Sequence, residues 1–225
     1  MNNIVVDNDI KPKQPTTSLA TMMICKDGIC CITDSRVINS NHVVTDEAYK
    51  STVIKNVNGL NLLVGIVGAS QIGNGEIVTQ LNRRFNNSSV NVEYYTPKAG
   101  ISSLLYAIAL YVQMYKEDDE PTTLIFGFYQ GEVPQLVVCN LDRTHIDISL
   151  VSGNYAICGE PCAVDDLTKN IKDMTNVSMV YFAHHCIDTM HEIMDNNRDN
   201  KNYGVGGFVN VIAIDSKHIK NIDFD

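Results

Sequence analysis

The chain has 225 residues, a net charge of −9, an apolar fraction of 44% and a charged fraction of 19%, which suits a single well-buried domain and excludes disordered and fibrous classes. Acids in excess and the lack of any Lys/Arg cluster exclude nucleic acid and anionic membrane as expected partners, because both need a positive surface to replace counterions. The longest apolar run, 104–112, is far below the ~20 residues of a membrane span, and Asn2-Asn3-Ile4-Val5-Val6-Asp7 is unlike a signal peptide.

Seven cysteines, an odd number scattered through apolar segments, read as reduced thiols and a cytosolic chain. Cys158 and Cys162 are spaced C-x3-C ahead of His184-His185-Cys186, but neighbours on a helix cannot converge on one metal ion. No metal or cofactor is therefore expected.

Residues 1–15 contain Pro12 and Pro15 and no apolar periodicity, and they read as an extended leader. Short strands are predicted over 19–24 and 29–33, joined across Cys25-Lys26-Asp27-Gly28, and a second hairpin over 51–57 and 60–68 about Asn58-Gly59. Helices follow over 72–85 and 101–115, the second apolar around most of its circumference and expected to be the more buried. Strands are predicted at 123–129, 135–140, 146–150 and 155–158, then helices at 163–174 and 179–194, then strands at 206–215 and 219–222.

Antiparallel strands usually leave one face to water, yet several of these are apolar on both faces. Two sheets stacked face to face, each covered outside by a helix pair, satisfy that pattern. The expected fold is α+β, a four-layer αββα sandwich over residues 16–225.

Thr16 and Thr17 open the first strand-like run, Thr16-Thr17-Ser18-Leu19-Ala20, which leads to Thr33-Asp34-Ser35-Arg36. A threonine hydroxyl becomes a strong nucleophile when a base sits beside it, and the residue's own α-amine can be that base once the preceding chain is removed. Residues 1–15 are thus a candidate propeptide.

These runs, with Lys55 in its strand and Gly65-Ile66-Val67-Gly68-Ala69 in the paired one, resemble the proteasome β-type peptidases of the N-terminal-nucleophile hydrolases, including the related bacterial ring proteases. The resemblance implies that Thr16 is the nucleophile, with Thr17 as the alternative register because the first hairpin is about two residues longer than is usual in the family, that Lys55 lowers the barrier to deprotonating it, that Asp34 holds Lys55, and that the Gly68 N–H faces the oxyanion. It also implies a peptide or unfolded-protein substrate, a homo-oligomeric ring or related assembly, and an ATP-dependent unfoldase as a possible partner.

Departures from the family pattern accompany the matches. Pro15 stands where processed members usually have Gly, and its fixed φ restricts the turn that attack on the preceding carbonyl requires. Asn202 and Val205 fall where an acid and a serine usually flank the terminal amine, and the serine expected after the middle strands falls on Cys158 or Gly159. These departures keep a non-catalytic subunit and a small-amide amidohydrolase on the same fold open as alternatives.

Overall fold

The computed structural model describes residues 18–39, 42–55, 60–68, 71–72, 75–86, 100–116, 121–197, 204–220 and 222. The leader, Thr16, Thr17, the Asn58-Gly59 turn and Asn202 lie outside the described residues. In chain order the first half runs β1 (Leu19–Cys25), β2 (Gly28–Asp34), β3 (Val37–Asn39), β4 (His42–Thr45), β5 (Ser51–Lys55), β6 (Asn61–Val67), β7 (Gln71–Ile72), β8 (Gly75–Glu76), α1 (Ile77–Phe85) and α2 (Gly100–Tyr115). The second half runs β9 (Thr122–Gln130), β10 (Val133–Leu141), β11 (Ile146–Leu150), β12 (Tyr155–Gly159), α3 (Pro161–Ile171), α4 (Met179–Asn196), β13 (Val209–Ile214) and β14 (Ile219–Lys220).

Two five-stranded sheets, in the orders β12-β1-β2-β13-β14 and β11-β10-β9-β6-β5, form the centre. Alternation along β1 and β2 decides how they stack. Ala20, Met22, Ile29 and Cys31 point inward to Leu63, Val67, Ile125 and Leu136 of the second sheet. Leu19, Met23, Cys30 and Ile32 point outward to Leu167, Phe182 and Cys186 of α3 and α4. On the far side α1 and α2 pack Leu81, Leu105 and Ile108 against Ile54, Val64 and Phe126. Residues apolar on both faces of a strand are thus buried on both faces, and the αββα sandwich is the observed arrangement.

The β1–β2 hairpin turns on Lys26 and Asp27, with Cys25 opposite Gly28 and Ala20 opposite Thr33. Asp27 Oδ1 accepts a 2.8 Å hydrogen bond from the Met179 N–H and so ties this turn to the start of α4. That register sets what lies beside Asp34 at the open end.

Both helices of the first half and two short ribbons differ from the sequence expectation. The helix expected from 72 begins at 77, because the glycine-rich stretch before it is a poor helix former and Gln71 pairs with Glu76 in a two-strand ribbon. A second ribbon, β3 with β4, was not expected. α2 buries only one face, and leaves Tyr106, Met114 and Tyr115 more than half exposed.

Candidate active site

Ser18 sits immediately before β1 and is buried. Its carbonyl accepts a 2.8 Å hydrogen bond from the Glu160 N–H, and Gly159, at φ +141°, lies against it so closely that a Cβ there would run into the Ser18 carbonyl oxygen. Glycine's freedom at 159 lets the end of β12 close over this backbone. Ser18 is therefore held from one side by main-chain contacts.

From the other side comes Lys50, the residue before β5, whose carbonyl accepts from the Ile66 N–H at 2.8 Å. The Lys50 ammonium reaches three acceptors, Ser18 Oγ at 2.8 Å, Asp34 Oδ1 at 2.8 Å and the Arg36 carbonyl. The Lys50 side chain is 4% exposed and that of Asp34 is fully buried. Asp34 takes further hydrogen bonds from the N–H groups of Leu19 (Oδ1, 3.0 Å), Gly206 (Oδ2, 3.1 Å) and Arg36 (Oδ2, 3.3 Å). A buried ion pair persists only when its remaining hydrogen-bonding capacity is filled in this way.

Burial pushes the Lys50 ammonium below its usual range, against the attraction of Asp34. Burial also pushes the Asp34 carboxyl up, opposed by Lys50 and by the Leu19 and Gly206 N–H groups. An ammonium weakened in this way gives up its proton more readily, so the free amine is better placed to take one from a hydroxyl 2.8 Å away.

The surrounding loops fix this geometry. Ser35 Oγ donates to the Asp46 carbonyl and accepts from the Phe208 N–H at 2.8 Å, while the Ala48 N–H donates to the Ser35 carbonyl at 3.0 Å. The Arg36 guanidinium pairs with Asp46 at 2.7 Å. The segment carrying Lys50 is thereby stitched to the segment carrying Asp34.

The structure brings Asp34 of the sequence-predicted set into this cluster, but with Lys50 and not with Lys55. Lys55 lies at the opposite end of β5, is exposed, and its N–H donates to Asn86 Oδ1 at 2.6 Å. Five residues of strand separate the two lysines by roughly 17 Å. The pairing of Asp34 with Lys55 is corrected to a pairing with Lys50. Gly68 follows β6 at φ +96°, beyond the Ile66–Lys50 contact and so at the Lys50 end of that ladder. Cys158 faces the inter-sheet core opposite Ala20, with its thiol pushed up to about 12 by burial. Val205 is buried among the residues under α3 and α4.

No protein-family model matches the sequence, and no curated protein matches it. Solved structures do share the fold. A mutant of Anbu from Hyphomicrobium sp. strain MC1 matches with a TM-score of 0.63 and 13% identity over 92% of this chain and 88% of its own. Anbu (ancestral beta-subunit) from Yersinia bercovieri matches with a TM-score of 0.58 and 17% identity, with the same coverages. A further structure of Anbu from Hyphomicrobium sp. strain MC1 matches with a TM-score of 0.62 and 12% identity. Likeness at this identity shows the fold alone, an αββα sandwich shared with the Anbu structures, and leaves the chemistry to the residues.

Sequence reasoning missed Ser18 and Lys50. One signal for Ser18 was available: a two-residue turn at Lys26-Asp27 pairs Cys25 with Gly28, and counting back along the ladder sets Leu19 across from Asp34. The hydroxyl beside Asp34 is then that of Ser18, two residues past Thr16. Lys50 stands outside any strand, and only the fold of the 46–50 segment shows its direction.

Proposed function

We propose that this chain is a proteasome-like peptidase with an N-terminal serine nucleophile, acting as one domain from Ser18 onward after loss of the residues before it. The observation that carries this reading is the Lys50 ammonium held between Ser18 Oγ and Asp34. In the first step Ser18 Oγ attacks the Thr17 carbonyl carbon and gives its proton to neutral Lys50; the Thr17–Ser18 C–N bond breaks as the nitrogen takes a proton, and water hydrolyses the resulting ester. Pro15 does not flank that bond, so its fixed φ no longer stands against processing.

The freed α-amine and Lys50 then serve as bases for attack of Ser18 Oγ on a peptide carbonyl. The leaving amine takes the proton, and water clears the acyl-enzyme. Gly68, at the Lys50 end of its ladder, supplies its N–H to the oxyanion. Peptides or unfolded proteins are the substrate class, copies of the chain assemble with one another in the cytosol, and an ATP-dependent unfoldase is the partner such a chamber would need.

Intact-mass analysis of purified protein tests the reading. A mature chain beginning at Ser18, lost in Ser18→Ala and kept in Thr16→Ala, is the expected result; a mature chain beginning at Thr16, or turnover by folded Ser18→Ala, overturns it. The non-catalytic alternative has one observation in its favour, since Val205 adjoins Gly206, whose N–H holds Asp34, and offers no hydroxyl there. An unprocessed chain that is inert even when expressed to begin at Ser18 would establish that alternative. Turnover of small amides without peptides would establish the amidohydrolase.

A further inference from the structure

One buried hydroxyl stands apart from the others. Thr21, Thr52, Thr123 and Thr189 are buried, and each donates from Oγ1: to the Ala156 carbonyl at 3.2 Å, Asn82 Oδ1 at 2.9 Å, Asn140 Oδ1 at 2.8 Å and the His185 carbonyl at 2.9 Å. Thr33 of β2 is fully buried, and its Oγ1 has no hydrogen-bond partner among the described residues. A buried hydroxyl without a partner is costly, and native folds rarely keep one.

Alternation along β2 turns Thr33 inward with Ile29 and Cys31, into the layer between the sheets. Its cross-strand neighbours on that face are Ala20 of β1 and Asn210 of β13. From the facing sheet, β5 packs across β2 and β13, and the buried Ser51, two residues before the inward-facing Val53, turns its hydroxyl to the same layer. Three polar side chains thus lie at one end of a layer that is otherwise lined by residues such as Met22, Ile125 and Ile214, and it is the end that carries Ser18 and Lys50. Asn210 is half-buried, so this polar row reaches toward the surface at β13. Asn210 Nδ2 donates to the Ala48 carbonyl at 3.5 Å, a length at which the direct bond is weak and a bridging water is the usual supplement.

We propose that Thr33 and Asn210 hold a buried water molecule that braces the loop carrying Lys50. The water accepts from Thr33 Oγ1 and from the Ser51 hydroxyl, and donates to Asn210 Oδ1 and to the Ala48 carbonyl, which gives it the two to four polar partners that a buried water needs. Ala48 lies two residues before Lys50, and its N–H already donates to the Ser35 carbonyl at 3.0 Å. Its peptide groups are then held on both sides, by Ser35 and by the Asn210–water–Thr33 strut. The stretch of β2 that supplies Asp34 to the ammonium thereby also fixes the loop from which the ammonium comes. Thr33 acts through Lys50 and is a positioning residue; that role rests on the function proposed above, whereas the water site does not.

High-resolution crystal structures of the full chain and of Thr33→Val, with urea unfolding of both, test the proposal. Density for a water within hydrogen-bond reach of Thr33 Oγ1 and the Asn210 amide is expected in the wild type and not in the variant. The urea midpoint of Thr33→Val is expected to fall. Valine has the shape of threonine, so a hydroxyl bonded to nothing would leave the variant at least as stable as the wild type, and an unchanged or raised midpoint overturns the proposal. A wild-type structure in which Thr33 Oγ1 bonds directly to protein, with no water beside it, overturns it too. If Thr33→Val does not fold, the wild-type density decides alone by the same criterion. On the function proposed above, Thr33→Val should lower kcat for peptides about tenfold with KM within about twofold, and Thr33→Ser, which restores the hydroxyl, should recover most of the loss. A folded Thr33→Val with wild-type kcat overturns the bracing role. Density and midpoint need no turnover, so a wild type inert towards peptides counts against that function and not against the water site.

Discussion

Asp34 and Lys50 are a buried ion pair, and a double-mutant cycle on them measures what the candidate site depends on. In Asp34→Asn one acceptor oxygen becomes an NH2 group. Turned toward Lys50 it meets an ammonium and the Leu19 N–H, and turned the other way it meets the N–H groups of Gly206 and Arg36. Either orientation places donors against donors beside an unpaired buried charge, for which about 3–5 kcal/mol is the usual cost. For a chain of this size that lowers the melting temperature by roughly 6–20 °C. Lys50→Met keeps most of the volume but leaves the carboxylate to backbone donors alone. The double variant removes both charges, so its cost should fall short of the sum of the single costs by about 0.5–3 kcal/mol. Urea unfolding followed by circular dichroism, with Ser18→Ala in every protein to prevent processing, gives all four corners at one protein concentration. Costs that add to within about 0.5 kcal/mol would refute the pairing and with it the site.

Lys55→Ala should leave turnover of peptides within about twofold of the wild type while Lys50→Met abolishes it, because only Lys50 reaches Ser18; loss of activity in folded Lys55→Ala would reverse the assignment. Gly159→Ala should cost about 1–3 kcal/mol or more, since φ +141° is strained for any side chain and the new Cβ meets the Ser18 carbonyl, and an unchanged urea midpoint would contradict the tight closure there. Lys50 has its folded pKa below 10.5, so between that folded value and 10.5 the unfolded chain binds the extra proton and stability rises with pH. The wild type should accordingly gain stability relative to Lys50→Met as pH is raised toward 10.5, in parallel urea titrations. A difference that shrinks over that window would mean the ammonium is stabilised by its surroundings.

Local patterns carried the fold. Val53, Ile54, Leu62, Leu63, Val64 and Ile66 are apolar without alternation, and the structure buries them on both faces of β5 and β6, which is why a stacked pair of sheets could be read before any coordinate. Short segments were less legible, because β3, β4, β7 and β8 hold two to four residues each and give no periodicity to detect. For α2 an apolar circumference signalled burial on every side, and the structure buries one face, because periodicity reports how apolar a helix surface is and not how much of it the rest of the fold reaches.

The lysine shows where pattern reasoning stops. A lysine within a strand, such as Lys55, looks built in because its neighbours are apolar, yet β5 ends there and its side chain reaches water. Lys50 looks like a loop lysine, since it follows Thr45-Asp46-Glu47-Ala48-Tyr49 with no strand pattern. Its burial comes from contacts distant in sequence: the Ile66 N–H on its carbonyl, Asp34 and Ser18 on its ammonium, and Asp46 tied to Ser35 and Arg36 four residues upstream. A buried cation is tolerable only where such partners converge. The residue to look for was therefore the one the hairpin register and the 46–50 loop could bring to Asp34, and hydropathy around the lysine itself pointed to the wrong end of the strand.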